Sequence, residues 1–284
     1  MTVNELYRQG AEMLDYAFVE NAFFDARWLV EKALGINSTQ FALKKDKQVS
    51  KKDEVEFLSL IRRRIAGEPL QYILGEWEFM GYPFLVGEGV LIPRPETELL
   101  ADFAKDLLKD KKSPVVFDLC SGSGCIAISV AKLLPKAKVY AVEKSGDALG
   151  YLKKNVKLNK AKNVEIISGD IADRRLLQGI VPDLILSNPP YIKSEEIPTL
   201  QKEVLREPSM ALDGGADGLD FYKILAADWL SRLPKGGVMA VECGEAQAED
   251  ISQLFFLAGG VTDTINDLSG IQRVVTATKK QIIR

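Results

Sequence analysis

The segment Leu186–Ser194, LSNPPYIKS, places an asparagine, two prolines and a tyrosine directly after an apolar run. Each proline fixes its own φ at about −65°, and the residue before a proline is pushed out of the helical region. Asn188 and Tyr191 therefore stand on a stiff backbone at the end of a predicted strand. Stiffness at that place indicates polar groups held in fixed positions, and the other motifs must supply what those groups act upon.

A second segment, VVFDLCSGSGCIAISVA, predicts a strand, a glycine-bearing turn and a helix. Gly122 and Gly124 let the backbone turn tightly and approach a ligand without a Cβ in the way. The free N–H groups at the start of the helix then point at that ligand. Cys120, Ser121 and Ser123 complete the predicted nucleotide-type site, whose spacing also satisfies the dinucleotide fingerprint, so the cofactor class stays open.

Acidic residues end three successive predicted strands, at Asp118, Glu143 and Asp170. A carboxylate at Glu143 can accept hydrogen bonds from both hydroxyls of a ribose. Asp170 and Ile171 could hold an adenine between a polar group and an apolar wall, although Asp170 could equally be a helix N-cap in the next segment. Together the three strand ends favour an adenosine that carries a bulky charged tail.

Composition and charge exclude several classes of function. The 284 residues carry a net charge of −3, so no global basic field attracts nucleic acid. No apolar run approaches the roughly 18 residues that span a bilayer, and the first residues lack the layout of a signal peptide, so we expect a cytoplasmic protein. The chain has no histidine, and its three cysteines form no CxxC pair. These counts exclude an imidazole base and leave poor material for a metal site, so we expect no metal.

The chain divides into a helical region and an alternating region. Residues 1–72 have apolar residues at helical spacing. The stripes that we expect to face a core are Leu6, Met13, Leu14, Ala17 and Phe18, then Phe24, Trp28, Leu29, Ala33 and Leu34, then Val55, Leu58, Ile61 and Ile65. Residues 73–92 alternate short apolar runs with glycine-bearing breaks and predict a β-hairpin linker.

From residue 93 strands and helices alternate, which predicts a mostly parallel sheet covered on both faces. The predicted strands are Val115–Leu119, Lys138–Val142, Val164–Ser168, Leu184–Ser187, Gly237–Cys243, Gly259–Asn266 and Val274–Thr278. The predicted helices are Pro95–Leu108, Cys125–Leu134, Gly146–Asn159, Gly218–Leu230 and Ala246–Ala258. Ligands of such sheets bind beyond the carboxyl ends of the strands, where every motif above falls.

These motifs resemble those of the HemK-type glutamine methyltransferases that modify peptide-chain release factors. Asn-Pro-Pro-Tyr after an apolar strand is similar to the (N/D)PP(Y/F) signature of S-adenosylmethionine-dependent methyltransferases that act on planar nitrogens. The wider matches are RRRIAGEPLQYILG, LIPRPETE, DLCSGSGCIA, SNPPYI and EPSMALDGGADGLDFY, and they extend over nearly the whole chain. Cys120 replaces a glycine that many relatives have and Glu143 replaces a commoner aspartate, and both changes keep the expected contacts.

The resemblance implies an α/β fold in three parts. These are a small all-helical substrate-recognition domain at residues 1–72, the β-hairpin at 73–92, and a seven-stranded, Rossmann-like methyltransferase domain at 93–284. It implies S-adenosyl-L-methionine as cofactor. The implied substrate is the glutamine of the Gly-Gly-Gln motif in class I release factors, methylated at N5. We expect a monomer with no membrane and no stable nucleic-acid partner.

The resemblance also gives the proline-bearing loop a chemical role. An amide nitrogen shares its lone pair with the carbonyl, with a rotational barrier of about 18–20 kcal/mol, so it is a poor nucleophile. Two acceptors must hold its hydrogens, and Asn188 offers its side-chain oxygen while Pro189 offers its carbonyl. Pro190 stiffens the substrate-binding loop and Tyr191 stacks on the amide or walls the pocket. Asn188, Pro189 and Tyr191 are thus the predicted catalytic residues, and Asn188 is also predicted to touch the cofactor.

Several alternatives stay open from the sequence. Glu207 matches a family element near the active site, but a salt bridge with Arg206 or another arginine explains it about as well. Arg94 could brace the substrate loop. The run Arg62–Arg64 is either a solvated helix face or a docking surface for an acidic or RNA-bearing partner. The rival functions are a base-directed methyltransferase, a nicotinamide dehydrogenase and a non-catalytic adaptor.

Overall fold

The computed structural model describes residues 1–280, which form two compact units. One unit consists of Met1–Glu76 with Gln201–Arg206, and the other of Trp77–Leu200 with the chain from Glu207 onward. Within the described residues, no helix is both long enough and apolar enough to cross a membrane.

The first unit is helical, as predicted for this region. Its helices are α1 (Val3–Tyr16), α2 (Ala22–Leu34), α3 (Ser38–Lys44), α4 (Lys51–Ile65) and α5 (Leu70–Leu74). Thr2 caps the start of α1 in a reciprocal pair with Glu5. The Thr2 side chain accepts from the Glu5 backbone N–H, and the Glu5 side chain accepts from the Thr2 backbone N–H. Gly35 ends α2 in the left-handed conformation, with φ at 60°, which only glycine adopts without strain.

The buried faces of these helices differ from the predicted stripes. The buried residues are Val3, Leu6, Gly10, Ala11 and Leu14 in α1, Ala22, Asp25, Ala26, Leu29, Val30 and Glu31 in α2, and Phe57, Leu60, Ile61 and Arg64 in α4. Phe18 is 96% exposed, and Phe24, Trp28, Val55 and Ile65 are exposed as well. The prediction was wrong at these positions because it chose the stripes by helical spacing alone, whereas single exposed apolar residues are common.

The run Arg62–Arg64 is not a single face of α4. Arg64 is 5% exposed, and its guanidinium donates to Asp25 at 2.6 Å and to Glu203 at 2.5 Å, both within the first unit. Arg62 and Arg63 are exposed. The interpretation of the whole run as a solvated face or docking surface is therefore wrong for Arg64, whose guanidinium forms a buried ion pair.

The predicted hairpin forms from β1 (Glu76–Phe79) and β2 (Tyr82–Leu85). Phe79 and Phe84 are buried in the same apolar cluster as residues of the sheet and helices of the second unit. Asn155, fully buried, accepts from the Leu85 N–H at 2.7 Å and donates to the carbonyls of Leu85 at 3.1 Å and Ser123 at 2.9 Å. The hairpin is thus tied to the glycine-bearing turn.

The second unit is built on a seven-stranded sheet in the order β5-β4-β3-β6-β7-β9-β8, counted over the described residues. The strands are β3 (Val115–Leu119), β4 (Lys138–Glu143), β5 (Val164–Ser168), β6 (Leu184–Ser187), β7 (Val238–Glu242), β8 (Gly260–Asn266) and β9 (Gln272–Lys279). Neighbours from β5 to β7 are parallel, and β9 is antiparallel to β7 and β8. The helices of this unit are α6 (Glu98–Leu108), α7 (Cys125–Leu133), α8 (Gly146–Leu158), α9 (Asp220–Ile224) and α10 (Ala248–Leu257). The predicted α/β fold with a mostly parallel, seven-stranded sheet is confirmed.

The predicted helix Gly218–Leu230 is wrong in part. After α9 the chain continues as a π-helical turn at Leu225–Trp229 and a 3-10 turn at Leu230–Arg232. Trp229 is fully buried, and its indole N–H donates to the Ile171 carbonyl at 2.9 Å. Such wide turns are frequent near functional sites, and this one fixes a residue of the predicted cofactor site.

Candidate active site

The carboxyl ends of β3, β4, β5 and β6 border one main cleft of about 760 Å³, open mouth included. From β3 the chain builds β4 and β5 on one side and then crosses to build β6 and β7 on the other side. Ligands of open α/β sheets bind at such a switch in strand order. The predicted residues that line the main cleft are Cys120, Gly122, Glu143, Asp170, Ile171, Asn188 and Pro190.

A small cavity of about 330 Å³, open mouth included, adjoins the main cleft, and both are lined by Cys120, Gly122 and Asn188. Ser121 and Ser123 line only the small cavity, together with Arg94 and Thr97. Asp118, Gly124, Pro189 and Tyr191, also predicted at the site, line neither space.

The glycine-bearing turn has the backbone that the motif predicts. Gly122 and Gly124 have φ values of 54° and 84°, and Cys120 also has a positive φ of 64°. A Cβ on Gly122 would meet nothing within 4 Å, so this residue leaves open space beside the cleft. A Cβ on Gly124 would lie 2.3 Å from Leu152 Cδ1, so here glycine is needed for packing at the start of α7.

Asp118 supports the turn from behind. It lies within β3, is fully buried, and accepts from the Ala127 N–H at the start of α7 at 3.1 Å. Its Oδ1 has no hydrogen-bond partner in the described chain, and burial raises the pKa of this carboxyl to about 7. Asp118 therefore holds α7 in place and does not border the cleft.

Glu143 joins the end of β4 to the turn. One carboxylate oxygen accepts from the Gly122 N–H at 2.7 Å, and the other from the N–H groups of Lys144 at 2.8 Å and Ser145 at 2.7 Å. Each carboxylate oxygen has about two lone-pair sites, so acceptor capacity remains for ligand hydroxyls. The structure places this side chain on the wall of the main cleft, as the predicted ribose contact requires.

Asp170 and Ile171 form the wall beyond β5. Asp170 accepts from the Ala172 N–H at 2.9 Å and pairs with Lys144 at 2.8 Å, and the Lys144 hydrogen bond holds the pKa of this carboxyl below its usual range. The alternative reading of Asp170 as a helix N-cap is wrong, because turns and no helix connect β5 to β6. Ile171 is buried and presents an apolar side chain.

The proline-bearing loop is held by contacts that the sequence did not reveal. Asn188 Nδ2 donates to the Thr97 hydroxyl at 3.1 Å. Gln247 Nε2 donates to the Tyr191 carbonyl at 2.9 Å. A Cβ on Gly244 would lie 3.2 Å from the Tyr191 ring. Burial raises the pKa of Tyr191 to about 12, so the phenol stays neutral.

Glu207 and Arg94, whose roles the sequence left open, pair with each other. Arg94 Nη2 donates to Glu207 Oε1, and Glu207 Oε2 accepts from the Ile92 N–H at 2.9 Å. Glu207 is 5% exposed. Of the two readings, the salt bridge is therefore present, with Arg94 as the partner, and it fixes the segment that leads to Thr97.

Known proteins with similar sequences point to one family. Residues 5–75 match the model of the PrmC N-terminal domain, and residues 97–217 match that of the methyltransferase small domain. The release factor glutamine methyltransferase of Geobacter sulfurreducens is 40% identical over 263 residues, covering 90% of this chain and 89% of that protein. The release factor glutamine methyltransferase of Moorella thermoacetica is 33% identical over 284 residues, covering 99% of this chain and 100% of that protein.

The superposition on a solved methyltransferase structure from Pyrococcus furiosus covers 72% of this chain and 91% of that chain. The sequence identity is 18% and the TM-score is 0.51, so the two proteins share the fold. The family models and the two relatives cover both the helical region and the sheet. The chain belongs to the family of release factor glutamine methyltransferases.

Proposed function

We propose that this chain transfers a methyl group from S-adenosyl-L-methionine to N5 of the glutamine in the Gly-Gly-Gln motif of class I release factors. The observation that carries the proposal is the place of Asn188. It stands on a proline-stiffened loop after β6 and borders both the main cleft and the small cavity. One side chain can therefore touch a cofactor and a methyl acceptor at once.

The main cleft suits S-adenosyl-L-methionine by its chemistry. Val142 and Ile171 are apolar and buried, which suits a purine, and Glu143 offers acceptors for ribose hydroxyls. We propose that the turn Cys120–Gly124, Glu143, Asp170 and Ile171 hold the cofactor, with Asp118 supporting the turn. When bound, this cofactor supplies an electrophilic methyl group on a positively charged sulfur.

The residues of the loop prepare the acceptor amide. The two hydrogens of the glutamine NH2 group need two acceptors, and we propose the Asn188 side-chain oxygen and the Pro189 carbonyl. Pro189 and Pro190 are buried and rigid, so these acceptors are in place before the substrate arrives and little reorganisation remains. Tyr191 is neutral and partly buried and lines neither space in the free chain, and we propose that it packs beside the amide when the substrate binds.

The reaction needs no general base from the protein. After methyl transfer the amide nitrogen carries a positive charge and is strongly acidic, so it loses its proton to water. The absence of histidine from the sequence is consistent with this proposal.

The helical region is the proposed recognition module. We propose that residues 1–72 grip the release factor, that residues 73–92 join it to the methyltransferase domain of residues 93–284, and that the enzyme is a cytoplasmic monomer without a stable nucleic-acid partner. The names of the relatives support a release factor as the substrate.

Mass spectrometry of release-factor peptides tests the proposal. Purified class I release factor is incubated with the enzyme and cofactor, and peptides that contain Gly-Gly-Gln are sequenced. We expect one added methyl group on the glutamine side chain. Total RNA with labelled cofactor is treated in parallel, and label in RNA alone would refute the proposal in favour of a base-directed enzyme.

A further inference from the structure

The carboxylate of Glu242 has no role in the reaction as described, yet it lies beside the central side chain. Ser187 of β6 pairs with Val241 of β7, so Asn188 and Glu242 follow at the same level of the sheet. Glu242 is 3% exposed, and its Oε2 has no hydrogen-bond partner in the described chain. A buried carboxylate that is incompletely paired is costly, so its presence at this position calls for an explanation.

Thr97 links the two side chains. It is 2% exposed and directly precedes α6. Its hydroxyl oxygen accepts from Asn188 Nδ2 at 3.1 Å. A threonine hydroxyl carries a single proton, and that proton is left to be donated elsewhere. Hydrogen bonds from Thr97 and Asn188 both favour the charged form of Glu242, which makes this carboxylate the acceptor.

Burial, opposed by those hydrogen bonds, raises the pKa of Glu242 to about 7. Its backbone is fixed, because the Tyr222 hydroxyl donates to the Glu242 carbonyl at 2.8 Å. The charged and titratable groups that act on Glu242, or on which it acts, are Glu96, Arg273, Tyr191, Tyr222, Cys125 and Cys243.

An ionised carboxylate only accepts hydrogen bonds. With Glu242 ionised, the Thr97 proton points to Glu242, the Asn188 NH2 donates to the Thr97 oxygen and to Glu242, and the Asn188 oxygen is left for a ligand. A donor at position 242 would allow the opposite chain, in which Thr97 donates to the Asn188 oxygen. Asn188 would then meet the substrate NH2 with its own NH2, and two donors cannot bond.

We propose that Glu242, acting directly and through Thr97, is a positioning residue that fixes the Asn188 amide with its nitrogen toward Thr97 and Glu242 and its oxygen toward the acceptor. The inference rests on the proposed function, in which that oxygen accepts from the glutamine NH2.

A Glu242→Gln variant keeps the shape of the side chain and introduces a donor. We expect kcat to fall about 100-fold, as for a misplaced catalytic group, while the KM for cofactor and the affinity for S-adenosylhomocysteine stay unchanged. The wild-type kcat should fall as the pH drops through about 7, the pKa of Glu242. The Gln variant should lack that step.

Substitutions of Thr97 separate positioning from folding. Thr97→Ser keeps the hydroxyl and should retain most of the activity, whereas Thr97→Val removes it and should lose as much kcat as Glu242→Gln. Thr276, a buried threonine on β9 whose hydroxyl donates to the Asp263 carbonyl, provides the matched control. Thr276→Val should keep the wild-type kcat, and thermal melts identify any variant that fails to fold.

Nuclear magnetic resonance of the Asn188 side-chain NH2 gives a readout that needs no activity. Its signal is identified by its loss in Asn188→Ala. In the wild type its hydrogens should exchange slowly with water, and in Glu242→Gln and Thr97→Val they should exchange faster.

If the wild type fails to methylate release factor while this pattern holds, the proposed function falls and the positioning role stands. An unchanged kcat in both variants, or an Asn188 signal that neither alters, would overturn the inference.

Discussion

At the scale of single residues, Asn188 both lines the main cleft and is a proposed acceptor for the substrate amide. Removal of one preorganised hydrogen-bonding group typically costs about 10²–10³ in kcat. We therefore expect Asn188→Ala to lower kcat by about that factor in steady-state assays. Calorimetry should show little change in S-adenosylhomocysteine affinity, because Glu143 and the glycine-bearing turn remain.

Asn266, at the end of β8, provides a control for the loss of an asparagine side chain. Asn266→Ala should leave kcat at the wild-type level. An Asn188→Ala enzyme that turns over like the wild type would show that the side-chain oxygen has no catalytic role.

At the scale of elements, the start of α7 depends on the absence of a side chain at position 124. Gly124→Ala forces a positive φ on alanine and brings its Cβ within 2.3 Å of Leu152 Cδ1. Overpacking alone costs about 1–3 kcal/mol, so denaturant unfolding should show a loss of at least that size. Gly150 in α8 is the matched control, because a Cβ there meets nothing within 4 Å. Gly150→Ala should stabilise the protein by about 0.5–1 kcal/mol, and equal effects of the two substitutions would contradict this account of the turn.

The strands could be predicted because short apolar runs between turn residues have few other structures available. The faces of α1, α2 and α4 could not, because helical spacing alone does not decide which of several apolar stripes is buried. Arg64 and Asp25 are inward-facing charged residues that the pattern treats as surface, and only the fold brings them together at 2.6 Å. The π-helical turn that ends at Trp229 likewise places this residue against a partner distant in sequence, the Ile171 carbonyl.

At the scale of the whole molecule, folding brings together parts of the site that are far apart in sequence. Asn188 was visible from its motif, whereas Thr97, Glu242 and Gln247 were not, because each is far from the loop in sequence and reaches it only through the fold. Thr97 lies within the quoted segment LIPRPETE, which was the available signal. Glu242 ends a buried strand, where an acidic residue is unusual, but nothing in the sequence states that β7 lies beside β6.

The stability of the folded protein should depend on pH through Asp118. Burial raises the pKa of this carboxyl from 3.8 to about 7, so between these values the native state binds a proton that the unfolded state does not. The contribution of Asp118 to stability therefore falls as the pH rises through this window. The substitution Asp118→Asn removes this titration. Relative to the variant, the free energy of unfolding of the wild type should therefore fall on the order of a few kcal/mol from pH 4 to pH 8. Denaturant unfolding at several pH values measures the difference, which must vary with pH if Asp118 is buried as described.

The most direct test of the central claim is a crystal structure of the enzyme with S-adenosylhomocysteine and a Gly-Gly-Gln peptide from a class I release factor. We expect the glutamine NH2 group to donate to the side-chain oxygen of Asn188 and to the carbonyl oxygen of Pro189, with its nitrogen facing the sulfur of the cofactor product. A bound glutamine whose NH2 group faces away from both oxygens would contradict the account.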